Sequence, residues 1–227
     1  YINNIHDWLN NYFQLNIPLN SAVTAFRKDL SYLNFFEPHK NSYHFLRLDI
    51  KSFFHSISIE DIKIIFLNYF ENDYIDENKK QLLIDSFINI ISYRIPSKSN
   101  NEFFRNKLIL PIGFKTSPII SNIIFRKLDI QIQNFCSMRN ITYTRYADDM
   151  LFSSNEKMTY IHSDNFTNEI KILLSQMNFK LNKRKTLKSK HTLSLNGYTI
   201  QYSTFIKGAQ NIINDKEFIL NEFRLSN

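Results

Sequence analysis

Tyr143-Thr-Arg-Tyr-Ala-Asp-Asp-Met-Leu-Phe152 sets two adjacent carboxylates, Asp148 and Asp149, inside an aromatic and apolar run that otherwise reads as strand. Tyr143, Arg145 and Ala147 alternate with Thr144 and Tyr146, and Leu151 and Phe152 resume the apolar character. That is the pattern of two short strands joined by a tight turn, with the carboxylates at the turn. Asp is common in turns because it bonds to nearby backbone, and an isolated Asp-Asp pair would need no further reason. Adjacent anions nevertheless repel, and a pair becomes favourable when a divalent cation or a cationic partner sits over it. Other stretches of the chain decide between these readings.

Upstream, His44-Phe-Leu-Arg-Leu-Asp-Ile50 is an apolar run of the length and flanks of a buried strand, and it ends in a carboxylate, Asp49. A strand end fixes the backbone while the side chain meets solvent, which suits a metal ligand at the edge of a core. Phe53 and Phe54 follow, Phe53 as a core residue. Leu108-Ile-Leu-Pro-Ile-Gly-Phe-Lys-Thr-Ser-Pro118 brings Pro, Gly and Ser-Pro together before a helical pattern of Ile119, Ile120, Ile123, Ile124, Leu128 and Ile132. There Gly113 permits close backbone approach, Lys115 offers a cation, and Thr116 or Ser117 is placed to cap the helix. Phe179-Lys-Leu-Asn-Lys-Arg-Lys-Thr186 is a basic run, by default a solvated face.

The remaining chain reads as ordinary scaffold. Ile2, Ile5, Trp8, Leu9, Tyr12 and Phe13 recur at helical spacing until Pro18, and Ser21 to Leu33 is expected to form a second helix carrying Arg27 and Lys28. His39 falls in a loop and reads as a surface histidine. Helices are expected over Ile62 to Phe70, over Asp76 to Ser92 with Leu82, Leu83 and Phe87 inward, and over Ser163 to Met177. Pro96 to Asn101 is a solvated turn. Asn196-Gly197, a strong hairpin dipeptide, separates strands at Thr192 to Leu195 and Tyr198 to Tyr202, and a last helix is expected over Asp215 to Phe223.

At 227 residues and 43% hydrophobic, the chain can bury a full core as one large or two small domains, which excludes a disordered protein. Its net charge of +7 favours a polyanionic partner. The single cysteine, Cys136, cannot form an internal disulfide and reads as a small buried hydrophobe. No apolar run reaches the length of a membrane span and the first residues lack a signal-peptide pattern, so a cytoplasmic protein is expected. Because residue 1 is Tyr, an internal piece of a longer chain is expected as well.

Taken in order, the strand ending in Asp49, the Gly-Phe-Lys-Thr-Ser-Pro turn, the Tyr-Ala-Asp-Asp hairpin and Asn182 to Thr186 resemble the four palm motifs of reverse transcriptases. The Asn196-Gly197 hairpin is similar to the primer-gripping segment beyond them, and Ser21 to His39 to the approach to the first motif. Within the family, Tyr143 to Phe152 and Asn-x-x-Lys-Thr look most like bacterial retron-type enzymes and their relatives in phage defence. The resemblance implies an α+β fold: a right-hand polymerase palm, an antiparallel sheet with helices on one face, with partial fingers and the start of a thumb. Fingers and palm would occupy residues 1–202 and the start of the thumb 203–227. Two departures stand out. Ile112 replaces the usual Gln after Leu-Pro, as in error-prone enzymes of diversity-generating elements, although those generally lack the Pro of Ser117-Pro118. The basic residues that hold the triphosphate in the family's fingers have no counterpart here, so either the chain is a fragment or other cations do that work.

The implied chemistry is nucleotidyl transfer, in which two Mg²⁺ ions about 4 Å apart, or Mn²⁺ in their place, stabilise the attacking 3′-oxygen and the leaving oxygens. Such hard ions need oxygen ligands. By the resemblance Asp49 and Asp148 supply them, with Asp149 completing the cluster and the Ile50 carbonyl on the second ion. Phe54 would lie under the sugar and exclude a 2′-hydroxyl, Lys185 would protonate or neutralise pyrophosphate, and Ile112, Gly113 and Lys115 would line the nucleotide pocket. The implied partners are a dedicated template RNA, nascent DNA and dNTPs, with an effector or toxin protein beside them and no membrane. Untemplated or protein-primed DNA synthesis is the alternative among enzymes, and an RNA-binding palm without catalysis the alternative from another class. Three intact acids argue against the latter, since a pure binder gains nothing from anions near a polyanion.

Overall fold

The computed structural model describes residues 2–69, 76–100, 102–155 and 160–201. The expected thumb segment, 203–227, and the helix over Asp215 to Phe223 lie outside the described residues. The elements in chain order are α1 (Ile2–Asn16), α2 (Leu33–Phe36), β1 (His44–Asp49), α3 (Phe53–Ser56), α4 (Ile59–Tyr69) and α5 (Glu77–Ile91). Then come β2 (Tyr93–Arg94), β3 (Leu108–Ile109), α6 (Ser117–Ser137), β4 (Thr142–Tyr146), β5 (Asp149–Ser154), α7 (Asp164–Ser175), β6 (Leu187–Lys190), β7 (Thr192–Leu195) and β8 (Tyr198–Gln201).

β4, β5, β1 and β6 form one antiparallel sheet in that order. Strand alternation assigns its two faces. Leu46, Leu48, Ile50, Met150, Phe152 and Tyr143 point into the main core, where they meet Ile119, Ile123, Leu128 and Ile132 of α6 and Phe166, Ile170 and Leu174 of α7. Each fully buried side chain of this size contributes about 1.5–3 kcal/mol. Phe45 and Leu151 point the other way, into a smaller cluster with Phe35, Phe36, Leu193, Leu195 and Ile200. Helices therefore cover one face fully and the opposite face is closed only at one end. At its other end stand Arg47, Asp49 and Asp149.

Local chemistry explains the element ends. The Asp76 side chain accepts from Lys79 N and starts α5, and Ser163 does the same for Phe166 N at α7. Asn196 and Gly197 both have positive φ, +49° and +83°, as a two-residue hairpin turn between β7 and β8 requires. Pro96 to Asn100 lies between β2 and β3, the paired strands of a hairpin. Cys136 is fully buried, and burial pushes its thiol up to about 12.

Several expectations are corrected. Ser21 to Leu33 is not a helix: Ala22 to Ala25 are buried in succession, without a helical stripe, and Phe26 and Asp29 have positive φ. This segment instead bonds to β4, with Arg145 N donating to Ala22 O (2.8 Å) and Thr24 N to Arg145 O (3.0 Å). On α1 the buried stripe is His6, Leu9 and Phe13, while Ile2, Trp8 and Tyr12 face outward and Trp8 stacks on Tyr12. On α5 the inward residues are Ile84, Phe87, Ile88 and Ile91, and Leu82 and Leu83 are exposed. Neither Thr116 nor Ser117 caps α6: Thr116 Oγ1 bonds His6 Nδ1 (2.8 Å), and Ser117 Oγ donates to Pro111 O (2.6 Å). His39 is fully buried, its ring nitrogens within 2.6 Å of Ser153 Oγ and 2.8 Å of Thr144 Oγ1, and burial pushes its pKa down to about 3.

Candidate active site

The β4–β5 turn consists of Ala147 and Asp148, flanked by the Tyr146 and Asp149 pair. Ala147 holds φ at +53°, a conformation a larger side chain would make harder to keep. β1 lies on the other side of β5 in a register that sets Asp49 directly opposite Asp149, and Ile50 N donates to Asp148 O (2.9 Å). Residues far apart in sequence thus place three carboxylates at one end of the sheet. Burial raises the pKa of both Asp148 and Asp149; the Asp49 charge adds to the shift at both, and Arg47 opposes it. The fold holds Asp148 and Asp149 in an environment that disfavours their charge.

Two cations answer them. Arg47, two residues before Asp49 on the same face, donates from Nε to Asp149 Oδ1 (2.8 Å). Lys185 Nζ reaches Asp49 Oδ2 at 2.9 Å, and that bond raises the lysine pKa. The basic run is fixed there by its backbone: Asn182 N donates to Asp49 O (2.8 Å), and Lys51 N to Lys180 O (2.8 Å). Lys185 is 53% exposed while Asp49 is 2% exposed, so the cation can leave without disturbing the core.

Phe54 of α3 is partly buried, with its ring 5.4 Å from Phe53 and 6.3 Å from Phe26. Ile112 is 71% exposed on the loop before α6, and Gly113 beside it has φ +101°. Lys115 forms an exposed ion pair with Asp7 of α1 at 2.7 Å. Asp49, Asp148, Asp149 and Lys185 are therefore brought together, whereas Ile112, Gly113 and Lys115 sit on the loop leading into α6. From Lys51 a groove of about 850 Å³ runs past His55 and Phe104, with Lys63, Arg94, Lys107 and Lys180 on its walls and Glu60 opposing them.

Beneath the turn lies a group that sequence reasoning missed. Arg145 is fully buried on the helix face and gives Asp129 of α6 two bonds, Nε to Oδ1 (2.8 Å) and Nη2 to Oδ2 (2.7 Å). Its Nη1 donates to Ala147 O (2.9 Å), and its Nη2 to Asn122 Oδ1 (3.2 Å). Tyr143 adds a bond to Asp129 (2.8 Å), and the guanidinium lies over Phe125 at 4.5 Å. Burial alone would lower the Arg145 pKa, but Asp129 holds it above the ordinary value. The pair ties the carbonyl of the turn residue to the long helix. Its signal was present: Asn122, Phe125 and Asp129 share one face of a helix whose other inward residues are almost all apolar.

Among the described residues, no three His, Cys, Asp or Glu side chains are gathered closely enough to hold a metal ion by themselves. Asp49 at the end of β1 and Asp148 in the adjoining turn still fit a hard divalent cation, which takes oxygen ligands and is commonly completed by substrate phosphates and waters. Among the described residues, no helix is long and apolar enough to cross a membrane.

A profile of the reverse transcriptase (RNA-dependent DNA polymerase) family matches residues 2–200. The chain is 35% identical over 160 residues to the retron Ec73 reverse transcriptase of Escherichia coli, covering 67% of this chain and 46% of that protein. It is 34% identical over 141 residues to the retron Ec83 reverse transcriptase of Escherichia coli, covering 61% and 41%. The chain thus spans less than half the length of these relatives. Among solved structures, a telomerase from Candida tropicalis in complex with a fragment of telomeric RNA aligns with a TM-score of 0.53 at 13% identity, over 88% of this chain and 36% of that one. That likeness concerns the fold.

Proposed function

For this chain, which belongs to the reverse transcriptase family, we propose the catalytic palm of a retron-type RNA-directed DNA polymerase that extends a primer 3′-hydroxyl with dNTPs. The observation that carries this is the register of β1 against β5, which sets Asp49 opposite Asp149 with Asp148 in the adjoining turn. Residues 1–202 would supply fingers and palm, and 203–227 would lead into the thumb.

Asp49 and Asp148 would hold Mg²⁺ through hard carboxylate oxygens, with Asp149 beside them and the Ile50 carbonyl as a further donor. When bound, the metal supplies Lewis-acid stabilisation of the charge that develops on the phosphate and the leaving group. Lys185, whose ammonium bonds Asp49, would give a proton or its charge to departing pyrophosphate. Phe54 would close the space beneath the sugar against a 2′-hydroxyl. Ile112, Gly113 and Lys115 would border the incoming nucleotide, and Ile112 would check base pairing loosely. Lysines and arginines such as those of the Lys51 to Lys180 groove would hold template and product phosphates, an attraction that weakens with salt. By the resemblance to retron enzymes, the template would be a dedicated RNA, and the complete bacterial protein would act in the cytoplasm in defence against phage beside an effector protein.

The test is dNTP incorporation by the full-length protein copurified with its RNA, in Mg²⁺, followed by sequencing of the product. DNA complementary to the bound RNA is expected. DNA matching no template would replace templated copying with untemplated synthesis, and no DNA would leave an RNA-binding palm.

A further inference from the structure

The segment before α2 carries a strained aromatic residue against the active site. Ala22 to Ala25 are buried and pinned: Val23 pairs with Arg145 in a parallel bridge, Thr24 N donates to Arg145 O (3.0 Å), and Asn122 Nδ2 donates to Ala25 O (2.9 Å). Immediately after these anchors, Phe26 takes φ +58°. A bulky residue in the left-handed region is strained, and such strain persists where surrounding contacts enforce it. Arg27 closes the turn behind it, donating from Nη1 to Val23 O (3.0 Å) and Asn20 O (3.3 Å).

The strain aims the Phe26 ring. Its centroid lies 6.3 Å from Phe54 and 6.1 Å from Tyr146, tilted by 55° and 42°. Tyr146 opposes Asp149 in the hairpin, and Phe54 stands in α3, which follows Asp49 at the end of β1. Phe54 has Phe53 on one side (5.4 Å), and Tyr146 has Tyr32 (4.6 Å) and Phe35 (6.0 Å). Phe26 joins these two aromatic groups, which arise from α3 and from β4. It is only partly buried, as a ring facing a substrate cavity would be, rather than sealed in the core.

We infer that Phe26 is a positioning residue for sugar selection: its ring backs Phe54 and keeps it from yielding when a ribonucleoside triphosphate brings a 2′-hydroxyl into the site. The inference rests on the assignment of Phe54 as the sugar-facing ring. Removing the Phe26 ring frees Phe54 to tilt away and admits the larger sugar, while the acids and Lys185 stay in place.

Phe26→Gly removes the ring and also suits φ +58°, so the variant keeps the fold and loses the strain. In the full-length protein with its RNA, kcat/KM is measured for each dNTP and its ribonucleotide counterpart in wild type, Phe26→Gly, Phe26→Tyr, Phe54→Ala and Phe26→Gly/Phe54→Ala. The expected result is that preference for the deoxy sugar falls about tenfold or more in Phe26→Gly, the scale of a lost apolar contact. Phe26→Tyr should stay near wild type, and the double variant should discriminate no worse than Phe54→Ala alone. An equal loss with both sugars, complete inactivity included, would overturn the inference, as would additive effects in the double variant. Unchanged discrimination in Phe54→Ala would remove the sugar-gate reading itself and the inference with it. Altered discrimination in Phe54→Ala with none in Phe26→Gly would overturn the inference alone.

Discussion

Arg145 and Arg47 each hold an aspartate near the same turn, on opposite faces of one sheet. Arg145 and Asp129 are both 0% exposed, sealed between β4 and α6, and further satisfied by Tyr143, Asn122 and the Ala147 carbonyl. Arg47 and Asp149 lie on the other face, 18% and 11% exposed, and there Lys185, 53% exposed, covers the 2% exposed Asp49, so a cation arriving from solvent can take the place of the side-chain cation. The chemistry of the pairs is similar and depth separates their roles. A sealed pair cannot exchange partners, so it holds geometry. An open pair can, so it is available for reaction. The exposed Lys115–Asp7 pair, about half accessible on both sides, marks the far end of the series.

The largest effect should come from breaking the sealed pair. Asp129→Asn leaves Arg145 as an uncompensated buried charge and should destabilise the protein by about 3–5 kcal/mol in urea unfolding; a loss under about 1 kcal/mol would erase the distinction drawn here. Next is Lys185→Met, which should slow nucleotide incorporation about 10²-fold or more, the scale of general acid catalysis. An unchanged rate would make Lys185 only a partner of Asp49. Per pH unit, a smaller effect is carried by His39, which stays neutral in the fold with its pKa pushed down to about 3, while an unfolded imidazole takes up a proton near 6.5. Between these values the unfolded chain binds more protons, so acidification should cost about 1.4 kcal/mol per pH unit. His39→Gln should remove that slope, which separates it from Asp148 and Asp149, whose raised pKa values act in the opposite direction. Asp7→Asn should cost less than about 1 kcal/mol, as exposed pairs do.

The open face was the more legible in the sequence. Its features are local: a two-residue turn between alternating strands, a strand ending in Asp49, and a Lys-Thr segment after a short loop. Each carries its periodicity or turn chemistry within ten residues. The helix-rich side was legible where one apolar stripe recurs, as in α6, but not where a polar residue is inward because of a distant partner. Asp129 is explained by Arg145, sixteen residues on, and His39 by Ser153 and Thr144, more than a hundred residues on. The same reason defeated the helix expected over Ser21 to Leu33: its backbone bonds go to Arg145, and spacing within the segment carries no trace of them.

The most direct test joins chemistry and stability in one variant, Asp148→Asn with Asp149→Asn. Because the fold already disfavours charge at both positions, neutralising them should leave unfolding free energy within about 1 kcal/mol of wild type, or above it. Mg²⁺-dependent DNA synthesis should disappear. Synthesis that survives, or a protein that unfolds for want of these two charges, would contradict the account.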